Sequence, residues 1–302
     1  MVVEQKKSNS SDWVGSKTVQ ITDNIEHISF DTWLLYPCID KPQSVDVGPY
    51  CINVCADGRI AKGEFPLVII SHGSGGSHLL YRLIALHLVK NGYIVAMLKH
   101  HANNRDDNSL AEQDKNLTLR TRHIRYVIDT LLSDEQWMDV INPRKIFMIG
   151  HSMGGCTALA LAGATPWSQH RLKIDVSNDK RIRALVLLAP ASAWYQHPNS
   201  FVNVNLPMLI FSAEHDVITP FWQADLIKQK VSNSALVDLK VIKNAGHFSF
   251  ISPFPAGMVN KNFAASQDPE GFDRNAFHDD LKKEISAFFN NQLNTTHSVI
   301  KD

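Results

Sequence analysis

From residue 66 onward, short continuous apolar runs alternate with amphipathic stretches. The runs are PLVIIS (66–71), YIVAML (93–98), KIFMIG (145–150), ALVLLA (184–189), PMLIFS (207–212) and ALVDLKVI (235–242). Strands that are apolar on both faces are covered by helices on both sides, as in a parallel sheet. Between the runs, apolar residues recur at spacings of three and four over 78–90, 117–133, 153–163, 220–231 and 278–290, which predicts helices. The N-terminal part reads differently. KTVQIT (17–22) and ISFDTWLLYPC (28–38) alternate apolar with polar residues, as half-buried strands of an antiparallel edge do. The turn-rich segment 39–64 leaves room for one more strand at CINVC. The predicted fold class is α/β: a mostly parallel, doubly wound sheet with an antiparallel N-terminal edge. At ~150 residues per domain, 302 residues make one large domain or two small ones, and the unbroken alternation favours one. Residues 1–16 are polar and predict a flexible N-terminal segment, leaving 17–302 as the single domain.

Four segments break the alternation: 101–116, 164–182, 190–205 and 248–277. Open α/β sheets bind ligands beyond the carboxyl ends of their strands, so these loops and the strand ends are where function is expected.

The sharpest local signal is Gly150-His151-Ser152-Met153-Gly154, directly after the strand KIFMI and directly before the small-residue stretch GCTALALAGA. At a strand-to-helix turn this tight, flanking glycines avoid collisions that a Cβ would cause, and Ser152 stands exposed above the sheet as a candidate nucleophile. A serine hydroxyl needs a base to take its proton and an acid to orient that base. Asp216 follows PMLIFS in the loop AEHDVITP, and His247 follows ALVDLKVI in KNAGHFSF, so both fall at carboxyl strand ends like Ser152. Glu214 competes for the acid role but lies nearer its strand. His100 and His101 precede the serine and lie toward the other side in this topology, and His215 reads as a surface residue. The oxyanion formed on acyl attack needs backbone donors, predicted as the N–H groups of Met153 and of Ser74 in Ser71-His72-Gly73-Ser74-Gly75-Gly76. That glycine loop lacks the G-K-[ST] ending of a phosphate-binding P-loop, which argues against nucleotide.

Tyr81, His101, Trp194, Tyr195 and Phe248 stand near strand ends and are the predicted pocket walls. Phe248, Phe250, Ile251, Phe254 and Met258 form either a buried lid over the pocket or an exposed apolar patch for a membrane surface. Cys156, inside the following helix, is predicted to pack rather than react.

Lysine plus arginine equal aspartate plus glutamate at 30 each, so no global field draws the chain to nucleic acid or anionic lipid. Arg120, Arg122 and Arg125 are the densest basic cluster and are predicted to lie on the solvated side of a helix. Four cysteines without zinc or redox spacing, no secretory-type leader and no apolar run of ~18 residues predict a reducing, cytoplasmic location. No metal-binding motif such as H-E-x-x-H occurs, and neither metal nor cofactor is predicted.

Taken together, DTWLLYP, FPLVIISHGSGGSHLLYRLIALHLVKNGYIVAMLKH, LRTRHIRYVIDTLL, IFMIGHSMGGCTAL, KRIRALVLLAPA, PMLIFSAEHDVITP and NAGHFSFISPFP resemble the α/β-hydrolases over residues 30–290. Within that family the chain is similar to the dienelactone hydrolase-like group that includes platelet-activating-factor acetylhydrolases. The resemblance implies the hydrolase fold and a triad carried onto Ser152, Asp216 and His247, with oxyanion donors at Ser74 and Met153. Dienelactone hydrolases carry cysteine as nucleophile. Serine here implies an esterase of small acyl esters, or a short-chain phospholipid acylhydrolase, with a non-catalytic binding relative as the remaining class. The partner implied is a small-molecule ester; the oligomeric state is left open.

Overall fold

The alternating segment KTVQIT belongs to a longer strand. In the computed structural model, which describes residues 13–294, β1 (Trp13–Asp23) already begins at Trp13, so four residues assigned to a flexible segment are sheet, with Val14, Gly15 and Ser16 buried. The rest of that segment, residues 1–12, lies outside the described residues, as do 295–302. β1 pairs antiparallel with β2 (Ile28–Cys38) along its whole length. The turn-rich connection holds two strands rather than one: β3 (Gln43–Val47) and β4 (Tyr50–Ala56) form a tight hairpin, and β4 adds parallel to β1.

The six apolar runs become β5 (Phe65–Ser71), β6 (Ile94–Leu98), β7 (Ile141–His151), β8 (Ile182–Leu188), β9 (Met208–Ala213) and β10 (Val237–Ile242). The sheet order is β10-β9-β8-β7-β5-β6-β2-β1-β4-β3. From β10 to β6 all neighbours are parallel, and β2 then joins β6 antiparallel, giving the mixed sheet with an antiparallel side that the pattern predicted. Val68, midway along β5, stands between Val95 of β6 and Phe147 of β7.

Side chains of successive strand residues point to opposite faces, and each face has its own core. Leu67 and Ile69 pack under α2 (Asp114–Ser133), α3 (Met153–Leu161) and α4 (Phe221–Lys230). Val68 and Ile70 pack under α1 (Arg82–Lys90) and α5 (Arg274–Asn294). α3 is buried at every residue, which explains its run of Gly, Ala, Cys and Thr: larger side chains would hold it away from the sheet.

α2 corrects the reading of its arginines. Arg120 lies three residues after Leu117 and four before Ile124, on the buried stripe of the helix, and is 1% exposed. Arg122 pairs with the buried Asp23 at 2.6 Å, and of the three only Arg125 is exposed to solvent. Among the described residues no helix is long and apolar enough to cross a membrane.

Candidate active site

β7 ends at His151 and the chain reverses at once into α3, with Ser152 at the turn at φ 54°, ψ −118°. A non-glycine residue in this region is strained, and the strain is held by packing that admits no alternative. The Ser152 N–H donates to the Leu188 carbonyl (3.0 Å), and its own carbonyl accepts from Ala191 (3.0 Å) and Gly155 (2.9 Å). A Cβ on Gly154 would run into the Ser71 carbonyl, and one on Gly155 would lie 2.8 Å from Pro190. Both positions therefore admit only glycine, and α3 starts hard against β5. Met153 is the first residue of α3, where helix N–H groups have no intrahelical acceptor.

Asp216 leaves the end of β9 and His247 opens a short 3-10 turn (His247–Phe250) beyond β10. Asp216 Oδ2 lies 2.7 Å from His247 Nδ1. The carboxylate is itself fixed, accepting from the Ile218 and Thr219 N–H groups through Oδ1 (2.8 Å each) and from the Thr219 hydroxyl through Oδ2 (2.8 Å). Burial works against its charge, but the bonds from His247 and Thr219 outweigh it and hold the carboxyl below its usual range. Glu214, the competing acid, instead accepts the Asn244 N–H at 2.7 Å and braces the β9 and β10 loops together. His215 is exposed. With Nδ1 bonded to the carboxylate, Nε2 is the ring nitrogen of His247 left for a proton from serine.

His151, inside the serine motif, turns inward. Its Nε2 donates to the His247 carbonyl (3.0 Å), and its Nδ1 accepts from the Tyr81 hydroxyl (2.9 Å), which receives the Gly73 N–H (3.4 Å). Burial pushes the imidazole down to about 3, so it stays neutral and this polarity is fixed. One chain of hydrogen bonds thus joins the glycine loop, the residue before the serine and the backbone of the candidate base.

Ser152 and His247 line the same cavity, about 570 Å³. Its polar end is made by Gly73, Ser74, Gly75 and His151, and its apolar body by Leu79, Phe248, Ile251, Phe254 and Met258. Of the predicted walls, Tyr81 and Phe248 are in place. Three are not. Tyr195 is fully buried beneath the helix, its hydroxyl donating to the Cys156 carbonyl at 2.6 Å. Trp194 packs against the same core and receives the Trp167 N–H on its carbonyl. His101 sits on the loop after β6, away from the lining. Phe250 and Ile251 are core residues, and Phe248, Phe254 and Met258 are half-buried and line the cavity, so these five apolar side chains do not stand out as an exposed patch, whereas Pro255, Ala256 and Gly257 are exposed.

Several wall residues were missed. Tyr50 comes from the hairpin and Arg105 from the loop after β6, with Phe263, Ala264 and Ala265 from the far end of the last loop. Arg105, Phe263, Ala264 and Ala265 share one signal, membership of segments that interrupt the strand–helix alternation, and Tyr50, in β4, has none. Among the described residues no group of three or more His, Cys, Asp or Glu side chains is placed to hold a metal ion.

Residues 66–204 match the family model described as alpha/beta hydrolase fold. In structure the chain is similar to a ferulic acid esterase from Streptomyces cinnamoneus, with a TM-score of 0.73 at 17% identity, covering 94% of this chain and 91% of that one. It is also similar to the esterase Pf2001 of Pyrococcus furiosus (TM-score 0.58, 15% identity, 91% and 92% covered). A dienelactone hydrolase from Anabaena variabilis gives a TM-score of 0.53 at 16% identity, with 92% and 98% covered. In sequence, platelet-activating factor acetylhydrolase of Canis lupus familiaris is 26% identical over 191 residues, 49% of this chain and 39% of that protein. The Bos taurus protein of the same name is 25% identical over 199 residues, 51% and 41% of the two chains. The matched part is thus well under half the length of these relatives.

Proposed function

Taking as premise that the chain has the α/β-hydrolase fold, we propose that it is a serine hydrolase that cleaves carboxylic esters of small acyl groups through an acyl-enzyme. Ser152 Oγ attacks the ester carbonyl while His247 Nε2 takes its proton. Asp216 holds the imidazole in that tautomer and stabilises the cation that forms. The N–H groups of Ser74 and Met153 receive the oxyanion. Collapse of the tetrahedral adduct breaks the bond to the alcohol oxygen, which leaves with the proton from His247. Water activated by the same imidazole then attacks the acyl-serine and releases the acid. No cofactor enters this scheme.

The observation that carries the reading is the 2.7 Å contact of Asp216 with His247, at the cavity whose wall includes Ser152 on its strained turn. A fluorophosphonate probe tests it, because a site that receives an ester's oxyanion also receives a phosphonyl oxygen. Wild-type protein should be labelled at Ser152, and Ser152→Ala should not. Folded wild type that takes no label and hydrolyses no p-nitrophenyl ester would leave only a binding role for the cavity.

One observation favours a second substrate class, a short-chain phospholipid at a lipid surface. Val217, Ile218, Phe221 and Trp222, directly after Asp216, are 88%, 51%, 46% and 45% exposed, an apolar group at the site's margin. On that reading Phe221→Ser with Trp222→Ser lowers turnover on vesicles and spares soluble short esters. Equal effects on both would dismiss it. Four cysteines in no zinc or redox spacing fit the reducing, cytoplasmic compartment we propose.

A further inference from the structure

Arg120 is a buried cation whose hydrogen bonds all run to neutral oxygens. Nη1 donates to the His72 carbonyl (2.8 Å) and Nη2 to the Gly73 carbonyl (3.4 Å). Nε and Nη2 both donate to Asn103 Oδ1 (2.9 and 2.6 Å), and Nη2 also reaches the Asn103 carbonyl (3.4 Å). Burying a guanidinium without a carboxylate is costly. Burial pulls its pKa down to about 9, which still leaves it charged at neutral pH. A structural role in a helix–sheet contact would be served at less cost by leucine, as at Leu117 and Ile124 on the same stripe. Its acceptors indicate another use, since two of the three residues that supply them, His72 and Gly73, belong to the loop that carries Ser74.

The peptide linking Gly73 to Ser74 contains both the Gly73 carbonyl and the Ser74 N–H. In a trans peptide these two groups point in opposite directions, and the described residues contain no cis peptide. The Gly73 carbonyl is held from behind by Arg120, by the Gly76 N–H (3.1 Å) and by His72 Nδ1 (2.7 Å). His72 must carry its proton on Nδ1, because Nε2 accepts the His100 N–H (3.2 Å). Three donors on the carbonyl fix the peptide plane, and the Ser74 N–H is aimed the other way. The same guanidinium grips Asn103, whose amide donates to Ser74 Oγ (2.9 Å), so the side chain of that residue is held as well.

We propose that Arg120 is a positioning residue for the oxyanion site: it clamps the His72 and Gly73 carbonyls so that the Ser74 N–H faces the cavity, and its charge behind that peptide strengthens the N–H as a donor. The inference rests on the ester-hydrolase reading. It assigns Arg120 to the transition state alone, since a ground-state ester carries no charge for the donor to meet.

The test pairs Arg120→Met with Arg120→Lys. Each is assayed with a short p-nitrophenyl ester and with a small alkyl boronic acid, which forms an anionic tetrahedral adduct on the serine. For the methionine variant kcat should fall on the order of 10²-fold, the scale of a lost oxyanion donor, while KM stays within about threefold. Boronate affinity should weaken by the same factor as kcat/KM. The lysine variant keeps the charge without the fork, so its kcat should lie between the other two. A rise in KM with kcat preserved would overturn the proposal, as would boronate affinity unchanged beside a lowered kcat, or wild-type kinetics in a folded methionine variant. If the methionine variant does not fold, the lysine variant decides: kcat equal to wild type overturns the clamp. An unmodified protein that neither labels nor hydrolyses would withdraw the ester-hydrolase reading and this inference with it, a result distinct because no substitution is involved.

Discussion

Acid should unfold this protein well above the pH at which its carboxylates protonate. Six histidines are held neutral inside the fold, with burial the leading cause in each. His151 is pushed down to about 3, and His78, His123 and His278 to about 4. His72 and His100 lie well below the ordinary value. In the unfolded chain all six titrate near ~6.5. Below that value the unfolded state binds more protons than the folded one, so stability is full above pH ~6.5 and is lost as pH falls toward the folded values. Between pH 7.5 and 5.5 each such histidine removes on the order of 1 kcal/mol, and the six together several kcal/mol. That is comparable to the whole stability of a typical domain, about 5–15 kcal/mol, which places the acid midpoint at about pH 5–6. Urea melts at pH 7.5, 6.5 and 5.5, followed by tryptophan fluorescence and far-UV circular dichroism, give the stability and its slope with pH, and hence the number of protons taken up. His278→Gln removes one titrating group and should lower that number by about one. Stability that is flat from pH 7.5 to 5.0 would refute the reasoning, since it would mean that the interior tolerates charged imidazoles.

Two further substitutions address the site itself. Asp216→Asn should cut kcat by roughly 10⁴ by permitting the wrong imidazole tautomer, while Glu214→Gln, which touches only the Asn244 N–H, should leave kcat nearly intact; the reverse ranking in steady-state assays would move the acid role. Across p-nitrophenyl esters of increasing chain length, Phe254→Ala should shift preference toward longer acyl groups, a methylene being worth ~1–3 kcal/mol, and Trp194→Ala, outside the cavity lining, should not.

Local signals carried most of what could be read in the chain. Runs apolar on both faces announced the central strands because burial on both sides of a parallel sheet leaves no polar positions, and the turn at Ser152 announced itself because the flanking Gly150 and Gly154 have no room for a Cβ. Asp216 and His247 were legible as residues just past carboxyl strand ends, where the structure brings them within hydrogen-bonding distance. Position past a strand end does not say which way a side chain turns, and Trp194 and Tyr195 turn into the core under α3. Tyr50 reaches the cavity only because β4 adds to β1, a pairing between segments about 40 residues apart that no local pattern encodes. Arg120 was misread by charge, although its spacing from Leu117 and Ile124 already put it on the buried stripe.

The outermost parallel strand, β10, is hydrogen-bonded on one side only, to β9, and half of its residues or more are at least partly exposed. The residue that would shuttle protons hangs from its end. Strand pairs at a sheet margin open more readily than those at its centre, so on the ester-hydrolase reading the base would be tied to an edge of the sheet. Heat should therefore silence turnover while the central strands still give a native spectrum, and cooling from that interval should restore it in full. On the ester-hydrolase reading the working ceiling would be set by the β9–β10 pairing, and a better-anchored β10 should raise it with little change to the domain's melting temperature.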